Sequence, residues 1–224
     1  MTRIVAALAA CVVLGLGVFA WSSFSGSPTP ANPLVGAANA QESAEDIDTS
    51  GIVEMTMGSE DAPVTVIEYA SYTCPHCATF HQGPFKQLKA DYIDTGKVQF
   101  VYREVYFDRF GLWASMVARC AGPDKFFGIT EVLYQDQPNW SRAGGPTEIV
   151  DELRRIGRLA GIENETLEAC LQDGDKARTL VAWYQQNAEE HGVNSTPSFV
   201  INGTKYENMS YDDFAARIEA AAGS

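Results

Sequence analysis

The chain has 224 residues, and 16 Lys+Arg against 29 Asp+Glu give it a formal charge of −13. That balance argues against nucleic acid or an anionic membrane as the main partner, because both repel an acidic surface. Subtracting the first 40 residues leaves about 184, enough for one domain with a sizeable core or for a core with an insertion.

The N-terminus reads as a targeting segment. Arg3 precedes an uncharged apolar run from Ile4 to Trp21, which as a helix would measure roughly 27 Å. That is long for a signal-peptide core and slightly short for a membrane span. A Ser/Pro/Gly/Asn-rich stretch follows to Asn39, and Ala38-Asn39-Ala40 has the small residues of a cleavage site. Two expectations stand: residues 1–40 are a cleaved signal peptide, or residues 4–21 tether the protein to the membrane. Both export the rest of the chain. Leu8-Ala9-Ala10-Cys11 resembles a lipoprotein box, but cleavage there would leave ten further apolar residues behind.

Residues 41–51 are polar and acidic and read as a flexible leader. Val53–Met57 is a candidate first strand, and Gly58–Pro63 a turn. Val64–Ala70 is nearly continuously apolar, the pattern of a buried central strand. Thr79–Tyr92 has helical composition, with a kink expected at Gly83-Pro84. Val98–Tyr106 reads as a third strand. Residues from about 111 to 190 are helix-rich, with loops expected over Gln137–Thr147 and Gly161–Asn164. Ser198–Ile201 returns to strand, Asn202-Gly203 supplies hairpin-turn chemistry, and Lys205–Glu207 forms the return strand. Tyr211–Ala222 is a last helix with Ser210 as its N-cap. Phe110, Trp113, Phe126, Phe127, Tyr134, Trp140 and Trp183 are core by default, and a subset can line an apolar groove for unfolded chains.

Cys74-Pro75-His76-Cys77 lies between the central strand and a helix. Cys74 at a helix start meets unpaired backbone N–H groups and the positive end of the macrodipole, which favour a thiolate. Pro75 suits an early helical position, where its missing N–H costs nothing. His76, if near the Cys74 sulfur, adds a donor and positive charge. Cys77, one turn deeper, is the expected resolving thiol. Cys74 is therefore the candidate nucleophile. A zinc site would need a second ligand pair, but Cys120 and Cys170 are single and there are only three histidines. No metal or other cofactor is expected.

Without Cys11, four cysteines remain and allow three pairings; the CxxC spacing favours 74–77 and 120–170. A structural Cys120–Cys170 disulfide would close a loop of about 50 residues and contribute roughly 3–4 kcal/mol; two buried free thiols are the alternative. Glu68, six residues before Cys74, is either a buried carboxylate that accepts or relays the Cys77 proton or a strand-end side chain reaching solvent. His81 and His191 have no evident partners in sequence and read as surface residues.

The segments Val66–Cys77 (VIEYASYTCPHC) and Gly192–Gly203 (GVNSTPSFVING) resemble bacterial DsbA-type thiol–disulfide oxidoreductases, in the form common among alphaproteobacteria. The resemblance covers roughly residues 52–222. It implies an α/β thioredoxin fold with an inserted helical domain at about 111–190. It also implies a proton-handling role for Glu68 and a cis Thr196-Pro197 turn packed on the disulfide, beside which a substrate segment pairs. The implied activity is donation of the Cys74–Cys77 disulfide to unfolded or reduced exported proteins in the periplasm, with reoxidation by a quinone-linked membrane protein of the DsbB type. Two alternatives share the sequence: an isomerase or reductase on the same fold, and a peptide-binding, chaperone-like module.

Overall fold

The computed structural model describes residues 44–223. The apolar segment 4–21, the lipoprotein-like box at 8–11 and the small-residue site at 38–40 lie outside the described residues. Among the described residues, no helix is long and apolar enough to cross a membrane.

Strand β2 (Val64–Ala70) organises the molecule. Its β-branched and aromatic residues suit a pleated surface buried on both faces, and it lies at the centre of a sheet ordered β1-β3-β2-β4-β5. It runs parallel to β3 (Val98–Glu104) and antiparallel to β4 (Ser198–Ile201). The outer strands β1 (Met55–Met57) and β5 (Thr204–Glu207) are antiparallel to β3 and β4. The register sets Glu68 between Tyr102 on one side and Phe199 on the other.

A parallel pair needs a crossover. Here it consists of α1 (Pro75–Gln82), α2 (Pro84–Leu88) and a π-helical turn over Lys89–Ile93. The break falls at Gly83, because Pro84 lacks an N–H and disfavours helical geometry in the residue before it. Between β4 and β5, Asn202 and Gly203 both take positive φ (43° and 83°), as a tight hairpin turn requires. Asn202 Oδ1 also accepts the Thr65 N–H at 2.8 Å, tying the turn to β2. The last helix, α9 (Tyr211–Ala222), starts at Ser210, whose hydroxyl accepts the Asp213 N–H. Phe199 of β4 packs tilted against Phe80 of α1 and edge-on against Phe214 of α9, with ring centroids 4.8 and 4.7 Å apart.

The inserted helical segment occupies the chain between β3 and β4: α3 (Arg109–Cys120), α4 (Pro123–Gln135), α5 (Gln137–Trp140), α6 (Pro146–Leu159), α7 (Asn164–Gln172) and α8 (Gly174–Glu190). The loop expected over Gln137–Thr147 thus begins with a turn of helix. Trp140 is fully buried there, its indole N–H donating to the Leu133 carbonyl at 2.8 Å. Phe126, Tyr134 and Trp183 are also buried, whereas Phe110, Trp113 and Phe127 are only partly so. Cys120 and Cys170 form a disulfide between α3 and α7, with S–S 2.11 Å and Cα–Cα 5.9 Å.

The insertion is fixed to the sheet by a buried ion pair. Arg119 Nε and Nη2 each donate to a Glu104 carboxylate oxygen at 2.6 Å, and the Ser115 hydroxyl donates to Glu104 Oε1 at 2.9 Å. Both charged side chains are out of solvent, so the bidentate geometry must offset their desolvation. The stretch expected to be a flexible leader makes contacts from Ala44 onward. Gln186 of α8 donates to the carbonyls of Ala44 and Ile47 and accepts from the Thr49 hydroxyl.

Candidate active site

Cys74 leaves β2 through a three-residue turn and becomes the N-cap of α1, with extended geometry (φ −83°, ψ 118°) and Pro75 at the first helical position. Its own N–H donates to the Ser71 carbonyl at 3.0 Å. The turn is clamped from the insertion: Gln137 Nε2 donates to the carbonyls of both Tyr72 and Cys74, at 2.8 and 2.9 Å. Asp108, which caps α3, also accepts from the Thr73 hydroxyl at 2.8 Å. The loop before Cys74 is therefore held by two elements of the helical segment.

Cys74 and Cys77 are free thiols in unequal surroundings. Cys74 retains 8% of its surface, whereas Cys77 has none. The Cys74 pKa is lowered from an ordinary 9.0 to about 5. Hydrogen bonding from the Cys77 thiol is the largest cause, with help from the Thr196 side chain and the backbone N–H groups of Cys77 and His76, and burial opposes it. The Cys77 thiol is pushed the other way, chiefly by burial, then by its bond to Cys74 and the negative charge of Glu68. Charge concentrates on the outer sulfur and protons on the inner one.

His76 is exposed, and it acts on Cys74 through its backbone N–H; the imidazole contribution expected from sequence is not among the causes. Pro75 is likewise exposed on the outer rim. Opposite Cys74, the Thr196-Pro197 peptide bond is cis, and the Thr196 carbonyl lies 3.5 Å from Cys74 Sγ. Pro197 is buried and brings no N–H to the site.

Glu68 is fully buried, so the solvent-reaching alternative does not hold. Its Oε2 lies 2.8 Å from His81 Nε2, while Oε1 has no hydrogen-bond partner among the described residues. His81 is a correction to the sequence reading, being 7% exposed and paired rather than on the surface. Its ring stacks on Tyr134 at 4.3 Å with an 18° tilt. One signal for it was available: His81 follows Cys77 by four residues, which puts both on one helix face. His191 is also partnered, with Nδ1 2.6 Å from the Tyr69 hydroxyl. The structure thus brings Cys74, Cys77, Glu68, Thr196 and Pro197 together and adds His81 and Gln137. Cys120 and Cys170 lie elsewhere, joined to each other.

Such a sheet, with a CxxC at the start of the helix after its central strand and a cis-proline opposite, defines a thioredoxin-fold thiol site. The chain belongs to the thioredoxin family, whose sequence profile, described as Thioredoxin, matches residues 50–220. Its relatives are of the DsbA type. A Rickettsia bellii protein, provisionally named a protein-disulfide oxidoreductase, is 36% identical over 169 residues, covering 75% of this chain and 64% of its own length. The chain thus spans just under two thirds of that relative. Disulfide bond formation protein D of Bacillus subtilis is 29% identical, over 73% of this chain and 74% of its own. Among solved structures, alpha-DsbA1 of Wolbachia pipientis superposes with a TM-score of 0.69 at 26% identity, covering 76% of this chain and 91% of that one. Oxidised BdbD from Bacillus subtilis gives 0.67, also at 26% identity, with 76% and 94% covered.

Proposed function

We propose that the protein is a thiol–disulfide oxidoreductase that donates the Cys74–Cys77 disulfide to exported proteins. The observation that carries this reading is the asymmetry of the pair: an outer cysteine that keeps 8% of its surface exposed and favours the thiolate, and a sealed inner one that favours the thiol. A substrate thiolate attacks Cys74 Sγ, the reachable sulfur, and the Cys74–Cys77 bond breaks with its electron pair on Cys77 Sγ. That sulfur takes a proton, for which Glu68 is the buried donor. The substrate's second thiolate then attacks the substrate sulfur of the mixed disulfide. Cys74 departs as a thiolate, and a low pKa makes it a good leaving group. The substrate leaves oxidised and the protein holds two thiols. The half-buried backbone at Thr196, beside Pro197 and 3.5 Å from Cys74 Sγ, suits an extended substrate segment paired as an added strand.

In this reading Cys74 is the nucleophile, Cys77 the resolving thiol and Glu68 the proton donor. Thr196 and Pro197 form the substrate platform, and Pro75 and His76 shape the helix start. The work is done outside the cytoplasm, in the periplasm, with residues 1–40 as export signal or residues 4–21 as tether. A quinone-linked membrane reoxidase of the DsbB type restores the disulfide. The names of the relatives in Rickettsia bellii and Bacillus subtilis support the disulfide chemistry.

The test is stoichiometric oxidation of a reduced two-cysteine peptide by the oxidised protein, followed by thiol alkylation. One peptide disulfide per protein, lost in Cys74→Ser, is expected. Reshuffling of a scrambled substrate without net oxidation would move the assignment to isomerase. Full biological activity in Cys74→Ser would move it to a chaperone-like module.

A further inference from the structure

The reaction above makes a demand that its two cysteines cannot meet. Each time the Cys74–Cys77 bond opens, a proton must reach a sulfur with no solvent exposure, and each time it closes the proton must leave. Glu68 can hold that proton but is itself fully buried, so it needs its own connection to solvent. One side chain supplies it. His81 Nε2 touches Glu68 Oε2 at 2.8 Å, and the same ring borders a cavity of about 230 Å³ between α1–α2 and α4. Glu68 Oε1 has no other hydrogen-bond partner among the described residues and is free to face the exchange with Cys77. Tyr134 stacks on the ring and Tyr102 meets it edge-on, holding it in the plane of this contact.

We propose that His81 is the proton relay between Glu68 and solvent, loading and unloading the carboxyl group through the cavity bordered by α1, α2 and α4. The inference rests on the disulfide-exchange reading of Cys74 and Cys77. His81 touches neither reacting sulfur, so it is a positioning and relay residue.

The steps balance. Substrate thiolate and the Cys74–Cys77 disulfide give the Cys74 mixed disulfide and a Cys77 thiolate, two electrons passing to Cys77 Sγ. The Glu68 carboxylic acid passes its proton to Cys77 Sγ and becomes a carboxylate. Protonated His81 returns a proton from Nε2 to Glu68 Oε2, and the neutral ring regains one from water in the cavity. Reoxidation runs the same line in reverse. The ionisable groups facing the ring are Glu68 from β2, Tyr102 from β3 and Tyr134 from α4, with Cys77 one turn back on α1. Lys86, Lys89 and Glu131 stand along the cavity. Lys86 and Glu131 are exposed and Lys89 is half-buried and paired with Asp94, so solvent and that partner screen these charges from the buried pair.

The test is the pH dependence of the first step. Oxidised protein is mixed with reduced glutathione between pH 5 and 8, quenched with acid, and the Cys74–glutathione adduct and released Cys77 thiol are quantified. His81→Gln can still hydrogen-bond Glu68 but cannot pass a proton on, and it should slow the step by about tenfold or more and flatten the pH dependence that remains once the rate is divided by the glutathione thiolate fraction. His81→Ala should be slowed similarly and be restored by added imidazole, which fits the vacated space. A wild-type rate and profile in His81→Gln would overturn the relay. So would a slow His81→Ala that imidazole does not lift in a protein with an unchanged urea midpoint. If His81→Ala does not fold, the His81→Gln profile decides alone. The donor reading fails separately: wild-type protein that exchanges with glutathione but oxidises no dithiol peptide would sink that reading and leave the relay standing.

Discussion

Acidifying the reduced protein should remove stability that the oxidised protein never has. The folded state lowers the Cys74 pKa from an ordinary 9.0 to about 5, so folding favours the thiolate. In full, that displacement corresponds to about 5 kcal/mol. A depressed pKa stabilises the folded state above the unfolded value, and the gain is lost as pH falls through the folded value. The window therefore runs from about pH 9 down to about pH 5. At pH 7, midway, about half the gain is present, about 3 kcal/mol, and at pH 4 almost none remains. In the oxidised protein Cys74 does not titrate, so the difference between the two forms removes every group that titrates alike in both, and a Glu68→Gln background removes the one carboxyl beside the pair. Urea unfolding of both forms at pH 7 and pH 4 should show the reduced-minus-oxidised stability falling by about 3 kcal/mol. The same 3 kcal/mol raises the reduction potential by about 60 mV over an equivalent pair with ordinary thiols. Thiolate absorbance at 240 nm supplies the control: in Cys77→Ala the midpoint should rise from about 5 towards 9.0, because the largest stabilising donor is gone. A reduced-minus-oxidised difference that does not change between pH 7 and pH 4 would refute this reasoning.

Three further outcomes are expected. Arg119→Ala strands the buried Glu104 carboxylate without its bidentate partner and should cost about 3–5 kcal/mol in urea unfolding. Replacing Cys120 and Cys170 together by Ala opens a loop of 50 residues and should cost about 3–4 kcal/mol. The reduction potential of Cys74–Cys77 should stay unchanged, since the second bridge lies apart from the site. Phe199→Ala removes the central ring of the Phe80–Phe199–Phe214 cluster and should cost about 3–5 kcal/mol by the same assay.

What could be read in the sequence was whatever is decided locally. β2 was bounded correctly because a continuous apolar run before a CxxC has few other readings, and the α1–α2 break followed from Gly83-Pro84 alone. The Asn202-Gly203 hairpin and the Ser210 cap are likewise local chemistry. The errors lie where burial is decided by chain that is distant in sequence. His81 reads as a polar helix residue until Tyr134, 53 positions later, covers its face. Gln137 reads as loop, yet it reaches back 65 and 63 residues to clamp Tyr72 and Cys74. His76 was expected to act through its ring because imidazole is the conspicuous group, but the helix start turns that ring outward and leaves the backbone N–H to act. The size of the Cys74 effect was also out of reach. A helix start gives only the direction of the shift, whereas the donors found around this sulfur set its size, about 3 kcal/mol at pH 7.

The central claim is that Cys74–Cys77 gives its disulfide away. The measurement that tests it most directly is the reduction potential of the pair, by equilibration of the protein in glutathione buffers and quantification of the two redox forms. The account predicts a value near or above about −180 mV, the range of disulfide donors and isomerases, with net oxidation of a dithiol peptide separating the two. A value near about −270 mV, that of a thioredoxin-type reductase, would contradict it.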